Sequence, residues 1–378
     1  MTQNMLEILR AIDLAELVEV VRQDQRSPTF EILDWHVEPF GDKGIANADT
    51  LFSFSGQGRD EKGIKQWRVV VKTFKDPGTG LDSRHLRYWK RELLAMQSGF
   101  LANLPGPIVA PRCYGTKEYE GVAWVWMEHI VDSSHAVWTA DQYAFAAHEL
   151  GRFNGRCFVN NSLPDYPWLC KGYVPTKTDP WPPHHAWENP LVSQTFSNRT
   201  RERILRLWDD RPRFYDALEQ LPQIFSHYDF HRRNILIRRQ EDGTDQIVAV
   251  DWAWAGYGAL GADLYSVVGG SALTFELEAA DVAEIEATAF EAYFAGLHEA
   301  GWEGNPEMVR LAYDISFAMF LGAEIPAVTA YVATGSVNEF LVRQFKRPLP
   351  EIASGWSALC EMALDRADEA KTLIDRLL

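Results

Sequence analysis

Apolar and polar positions change their rhythm along the chain. Residues 4–22 space Leu6, Leu9, Ile12, Leu17 and Val20 between charged neighbours, the period of an amphipathic helix. Phe30–Val37 then alternates and is rich in β-formers. Thr50–Phe54, Gln66–Phe74, about Arg112–Lys117 and Gly121–Ile130 read as further strands. One helical stretch, Ser83–Ser98, interrupts them with Leu86, Trp89, Leu93 and Met96 on one side. Residues 1–131 are thus expected to form a small antiparallel β-sheet with one key helix and an N-terminal helix.

From residue 132 the reading is mainly helical. Thr139 followed by Gln142 is a capping-box pattern, and that helix runs through Leu150 and Phe153. Residues 160–190 hold seven prolines among Trp168, Trp181 and Trp187, a loop-like insert. Its adjacent His184 and His185 have no cysteine or acidic spacing that would make a metal site. Helices follow at about 198–220, 275–300, 306–333 and 350–377; Gly301 closes the second, and Asn305 with Pro306 opens the third. Between the first two lie the short strand-like runs Asn234–Arg238 and Gln246–Val250. The fold class is α+β in two lobes, 1–131 and 132–378, with no internal repeat.

The 378 residues exceed what one core comfortably fills, which agrees with two lobes. The net charge of −16 disfavours nucleic acid and anionic membranes as partners. Residues 271–378 carry 7 Lys+Arg against 18 Asp+Glu, a net of −11, while the first 270 residues carry −5. That acidic third is either a solvated helical face or part of a pocket for a cation. Cys113, Cys157, Cys170 and Cys360 show no CxxC spacing and fit a reducing, cytoplasmic setting. Met1–Arg10 carries Glu7 and lacks the basic start of a secretory leader. Ile315–Val337 is apolar, but Glu324 and Pro326 interrupt it, so a buried core helix is expected rather than a membrane span.

The chemistry concentrates in Ser226-His227-Tyr228-Asp229-Phe230-His231-Arg232-Arg233-Asn234, an H-x-D-x-x-x-x-N pattern followed by an apolar run. Asp251 ends a second apolar run, Val248-Ala249-Val250. Phosphoryl transfer needs a carboxylate to accept or orient the attacking hydroxyl, and an Asn oxygen with a second carboxylate to hold Mg²⁺ against phosphates. Asp229, Asn234 and Asp251 supply those groups, and a hairpin between the last two would bring them to one edge of a cleft.

The motif resembles the catalytic loop of the aminoglycoside phosphotransferase and choline kinase group, small-molecule relatives of protein kinases. His231 stands where protein kinases usually carry Lys. Asp251-Trp252 is similar to the group's metal-binding Asp and lacks the Gly of D-F-G. Gly256-x-Gly258-x-x-x-x-Asp263-Leu264 is similar to a segment whose Asp braces the catalytic loop. The resemblance implies a bilobal protein kinase-like fold, ATP as donor with GTP as the alternative, Mg²⁺, and structural support from His227, His231 and Asp263.

Lys72, late in the run Val69–Phe74, would then reach the ATP phosphates, held by Glu92 twenty residues on. Gly41 and Gly44 stand where a phosphate-covering loop belongs, without the G-x-G-x-x-G pattern. By position, the Glu128 carbonyl and Ile130 amide would meet adenine. Trp252, Trp254 and Tyr257 are candidates for walling the acceptor pocket. Asp314 and Glu324 sit in an apolar stretch, so each needs a partner: an internal Arg or His, or a substrate ammonium. The expected activity is transfer of a phosphoryl group to a hydroxyl of a small molecule, with a cationic acceptor as one reading, by a monomer or homodimer. A nucleotide-binding pseudokinase and a nucleotidyl transferase are the alternatives. Retention of Lys72, Asp229, Asn234 and Asp251 argues against the first, and the lack of D-F-G and A-P-E segments against a protein kinase.

Overall fold

Alternation along the early strands decides what the sheet buries. In the computed structural model, which describes residues 2–40, 51–119, 121–160, 163–171, 187–335 and 338–378, ten antiparallel pairs join β3 (Leu51–Asp60) to β4 (Gly63–Lys75). β4 then pairs β6 (Val122–Glu128), and β6 pairs β5 (Cys113–Tyr119); two short strands, β1 (Glu31–Ile32) and β2 (His36–Pro39), lie on the far side of β3. Phe52, Phe54, Trp67, Val69, Val71, Trp124 and Trp126 face one core with Leu17, Val20 and Val21 of the N-terminal helices. Glu16 anchors those helices there: its carboxylate accepts from the indole N–H groups of Trp124 and Trp126, at 3.1 and 2.8 Å, and from Lys117 at 2.6 Å. Gly41 and Gly44 lie outside the described residues, as does most of the proline-rich insert, including His184 and His185.

The chain forms two compact units. One comprises residues 1–81, 89–104 and 109–132; the other comprises 82–88, 105–108 and 133–378. The second is mainly helical, with two small two-stranded sheets. Its long helices are Ala140–Val159, Asn198–Gln220, Val282–Glu299 and Leu349–Leu377. The α+β class expected from the sequence holds.

Several element boundaries differ from expectation, each for a local reason. The first helical stretch is two helices, Thr2–Arg10 and Leu14–Gln25, because Asp13 caps the second by accepting from Ala15 N at 2.9 Å. Ser83–Ser98 is helical only over Arg91–Gln97. Before it, Asp82 accepts from Arg84 N and His85 Nδ1 accepts from Arg87 N, turns that compete with a helix. The helix expected from 275 begins at Val282, since Phe275 stands at φ +59° and turns the chain. The stretch from 306 is Pro306–Phe317, a π-helical segment Ala318–Ala323, and Glu324–Val332. By length and composition Pro306–Val332 could cross a membrane, but it is mostly buried within this fold.

The acidic C-terminal helices are largely neutralised inside the chain. Arg203 reaches Glu361, Asp365 and Asp368 at 3.2, 2.8 and 2.9 Å. Arg310 binds Glu286 at 3.1 Å and Asp314 at 2.8 Å, and Arg366 binds Glu286 and Glu369, each at 2.7 Å. Asp314 is fully buried. Burial pushes its carboxyl up to about 7, against the pull of Arg310 and Arg366.

This shift has a sign that stability measurements can read. Unfolded, the carboxyl titrates in its ordinary range, near pH 4; folded, it keeps its proton to about pH 7. Its stabilising contribution is therefore full below the lower value and is lost as pH rises through the upper one. Between pH 5.5 and 8 the linkage amounts to about 2 kcal/mol. Thermal unfolding of Asp314→Asn is expected to show a smaller difference in Tm between those two pH values than the parent chain; an unchanged difference would rule the assignment out.

Candidate active site

A short strand delivers the catalytic-loop sequence into a buried bracket. β7 (Gln223–Ser226) pairs antiparallel with β10 (Gly256–Ala259), with Ser226 opposite Gly256. The chain then turns sharply: Tyr228 stands at φ +65°, unusual for a bulky residue. Fully buried Asp263 holds the turn, accepting from the backbone N–H groups of His227 at 2.9 Å and Tyr228 at 2.7 Å. Burial raises the Asp263 carboxyl to about 6, although both N–H bonds favour its charged form. Ser266 Oγ donates to Tyr228 O at 3.2 Å, and the Tyr228 hydroxyl donates to Tyr257 O at 2.9 Å. Gly258 makes room for that hydroxyl, since a Cβ there would lie 2.0 Å from it.

Beyond the turn, hydrogen bonds fix the orientation of each polar group. Asn234 Nδ2 donates to Asp229 Oδ2 at 2.7 Å and to Asp229 O at 3.0 Å. Two acceptors on that side oblige the amide nitrogen to face Asp229, so the amide oxygen faces away. His231 Nε2 lies 3.6 Å from Asp229 Oδ1. His227 Nδ1 accepts from Asp229 N at 3.2 Å, so its Nε2 carries the proton and donates to Val250 O at 3.0 Å. The Val250 N–H in turn donates to Asn234 O at 2.9 Å. The hairpin of β8 (Ile235–Arg239) and β9 (Asp245–Ala249) pairs Ile235 with Ala249. Residues 234 and 250 are thereby side by side, and Asp251 follows at φ +62°, a left-handed conformation that Asp tolerates. Asp229 and Asn234 are half-buried, as is Asp251.

In the first unit, Lys72 lies opposite Val125 of β6, and its Nζ meets Glu92 Oε2 at 2.5 Å. Both side chains are nearly inaccessible, 10% and 3% exposed, which makes this a desolvated ion pair rather than a surface one. Glu128 ends β6; its side chain binds Arg112 at 2.9 Å, and Ile130 follows in irregular chain.

The candidate acceptor residues are mostly committed elsewhere. Trp252 is fully buried; its indole N–H donates to Ala249 O at 2.9 Å, and its ring lies 4.4 Å from that of His227. It backs the loop as core and does not wall a pocket. The Tyr257 hydroxyl donates to Pro164 O at 2.5 Å, and Lys171 Nζ lies 5.4 Å over its ring. The partner of Asp314 is Arg310, so no substrate ammonium is required there. Trp254 and Glu324 are half-buried. Sequence reasoning missed β7 and β10, short and glycine-bearing, and missed Ser266 and Ser271, whose bonds to Tyr228 O and from Arg232 N carry no motif. Among the described residues, no group of three or more His, Cys, Asp or Glu is placed to hold a metal ion.

Several solved structures resemble the chain at low identity. An aminoglycoside phosphotransferase from Alicyclobacillus acidocaldarius is 11% identical with a TM-score of 0.48, covering 92% of this chain and 93% of its own. Amicoumacin kinase hAmiN, solved with AMP-PNP, Ca²⁺ and Ami, is 13% identical with a TM-score of 0.45, covering 84% and 87%. A thermostable mutant of an aminoglycoside phosphotransferase, in ternary complex with AMP-PNP and hygromycin B, is 13% identical with a TM-score of 0.45, covering 89% and 95%. No curated protein matches the chain. The model of the phosphotransferase enzyme family matches residues 94–304, more than half of the sequence and the whole of the loop just described, and the chain belongs to that family.

Proposed function

We propose that this phosphotransferase is an ATP-dependent kinase of a hydroxyl-bearing small molecule. The observation that carries the reading is the orientation of Asn234: its amide nitrogen is tied to Asp229, and its oxygen is turned away from that carboxylate. One residue thereby sets the plane of a base and offers an oxygen to a cation. Asp229 would orient the acceptor hydroxyl and take its proton as the new O–P bond forms and the bond from the γ-phosphorus to its bridging oxygen breaks. The ADP oxygen leaves with the electron pair. Asn234 Oδ1 and the Asp251 carboxylate are hard oxygen donors and suit Mg²⁺, which needs only one or two protein ligands alongside phosphate and water. Bound there, the ion would neutralise phosphate charge.

Lys72 would meet the nucleotide phosphates, with Glu92 keeping its ammonium in place. The donor as ATP and the acceptor as an alcohol rest on the family and on these groups. Asp314 is paired with Arg310 inside the chain, so that carboxylate does not by itself call for a cationic acceptor. A screen of ATP consumption over amino-alcohols, aminoglycosides, macrolides, sugars and nucleosides tests the proposal. Mass spectrometry of the product separates phosphoryl from nucleotidyl transfer.

Three substitutions bear directly on the roles. Asp229→Asn should keep ATP binding within about twofold and lower turnover by about 10²–10⁴-fold, the usual weight of a positioned base. Turnover near that of the parent chain would remove Asp229 from the mechanism.

Asp251→Ala should abolish turnover and make ATP affinity indifferent to Mg²⁺, and Lys72→Ala should lower kcat/KM strongly. Steady-state kinetics checks the turnover of both variants, and calorimetric ATP titrations with and without Mg²⁺ check the metal dependence; an Mg²⁺ dependence that survives in Asp251→Ala contradicts the metal assignment.

A further inference from the structure

The two arginines before Asn234 leave the loop in different directions. Arg232 Nη2 donates to Ser134 Oγ at 3.0 Å and His135 O at 3.1 Å, and its guanidinium lies 4.9 Å over the Trp138 ring. Arg233 goes to another segment. Its Nε donates to Glu276 Oε1 at 2.8 Å, its Nη2 to Thr274 O at 3.1 Å, and its guanidinium lies 5.7 Å over the Phe345 ring.

The turn that receives Arg233 is shaped by residues near the end of the sequence. Phe275 stands at φ +59°, a conformation that a bulky residue keeps only where its surroundings over-determine it. Its ring packs on Phe345 at 5.0 Å and on Trp356 at 6.3 Å, and Arg347 covers it at 4.8 Å while pairing with Glu278. The Trp356 indole N–H donates to Leu273 O at 3.1 Å. Phe345, Arg347 and Trp356 all lie beyond residue 304, where the family match ends.

We propose that the C-terminal segment 338–378 positions the catalytic loop through the turn 274–278, and that Arg233 is the positioning residue that transmits it to Asn234. The inference rests on the reading of Asp229 and Asn234 given above. An aromatic clamp from the end of the chain holds the turn. The turn presents one carboxylate and one carbonyl to a planar guanidinium, and that fork fixes the backbone next to Asn234. Asn234 then meets Asp229 at 2.7 Å with its oxygen directed away. Neither Phe345 nor Arg233 needs to touch a reactant for this to act.

The test uses the full chain with Mg²⁺ and ATP and no acceptor, following ATP hydrolysis, the Mg²⁺ concentration for half-saturation, calorimetric ATP affinity with and without Mg²⁺, and Tm. Arg233→Gln and Phe345→Ala are each expected to lower kcat about tenfold and raise the half-saturating Mg²⁺ about tenfold, with metal-free ATP affinity within about twofold. Phe345→Tyr, which keeps the ring, should restore both values. A merely structural role would lower Tm and leave the Mg²⁺ requirement alone. The inference is overturned if Arg233→Gln and Phe345→Ala keep kcat and Mg²⁺ requirement within about twofold while Asp229→Asn has lost hydrolysis. If Phe345→Ala does not fold, Arg233→Gln decides alone. Where hydrolysis is too slow to follow, the Mg²⁺ dependence of ATP binding reads the same effect. Full activity in Asp229→Asn would instead refute the catalytic-loop reading, and the inference with it.

Discussion

The His227–Tyr228 turn is held from beneath by a carboxylate with no access to solvent. Asp263 accepts two successive backbone N–H groups, and without them the chain would have little reason to hold Tyr228 at a positive φ. The energetics are finely opposed. Burial favours the neutral acid, whereas two N–H donors favour the anion, and the carboxyl settles at about 6. From that turn the remaining geometry follows by short steps. His227 receives Asp229 N on one ring nitrogen and reaches Val250 with the other; Val250 returns a bond to Asn234. Three segments distant in sequence are thereby tied into one frame of backbone bonds.

Much of this was legible in the sequence because it follows from spacing. H-x-D-x-x-x-x-N fixes how many residues lie between Asp229 and Asn234, and the hairpin between residues 235 and 249 needs only two β-rich runs and a turn containing Gly243. The Lys72–Glu92 pair was legible for a similar reason, a lysine in a β-run and a glutamate in the following helix. What escaped the reading depends on tertiary contact. β10 contains Gly256 and Gly258, poor strand formers chosen by the close approach of Cys170 and Tyr228. The truncated helix at Arg91–Gln97 loses to side-chain turns at Asp82 and His85. Trp252 looked like a pocket wall because an aromatic residue beside a metal-type Asp is conspicuous; its burial against His227 and Phe225 depends on packing.

The acidic third teaches a related lesson about charge. A net of −11 over residues 271–378 invites a cationic partner, but composition counts charges without their neighbours. The Asn198–Gln220 helix contributes Arg203 and Arg213 to acids of Leu349–Leu377, and Arg310 and Arg366 occupy the carboxylates buried around Asp314. Such pairs contribute little individually when exposed. At buried Glu286, held by both Arg310 and Arg366, losing a cation would leave a carboxylate stranded, which is far more costly.

Asn234 also shows why an amide, rather than an acid, belongs at that point of the loop. A carboxylate of the same size would be the stronger ligand for a cation taken alone. At 2.7 Å from the Asp229 carboxylate, however, it would set two like charges against each other, and they would share a proton. The shared proton would occupy an oxygen that the proposed base needs, and a Mg²⁺ ion drawn to both acids would compete with the acceptor for Asp229. The amide avoids this conflict because its two ends differ: the nitrogen end satisfies an anion, while the oxygen end remains suited to a cation.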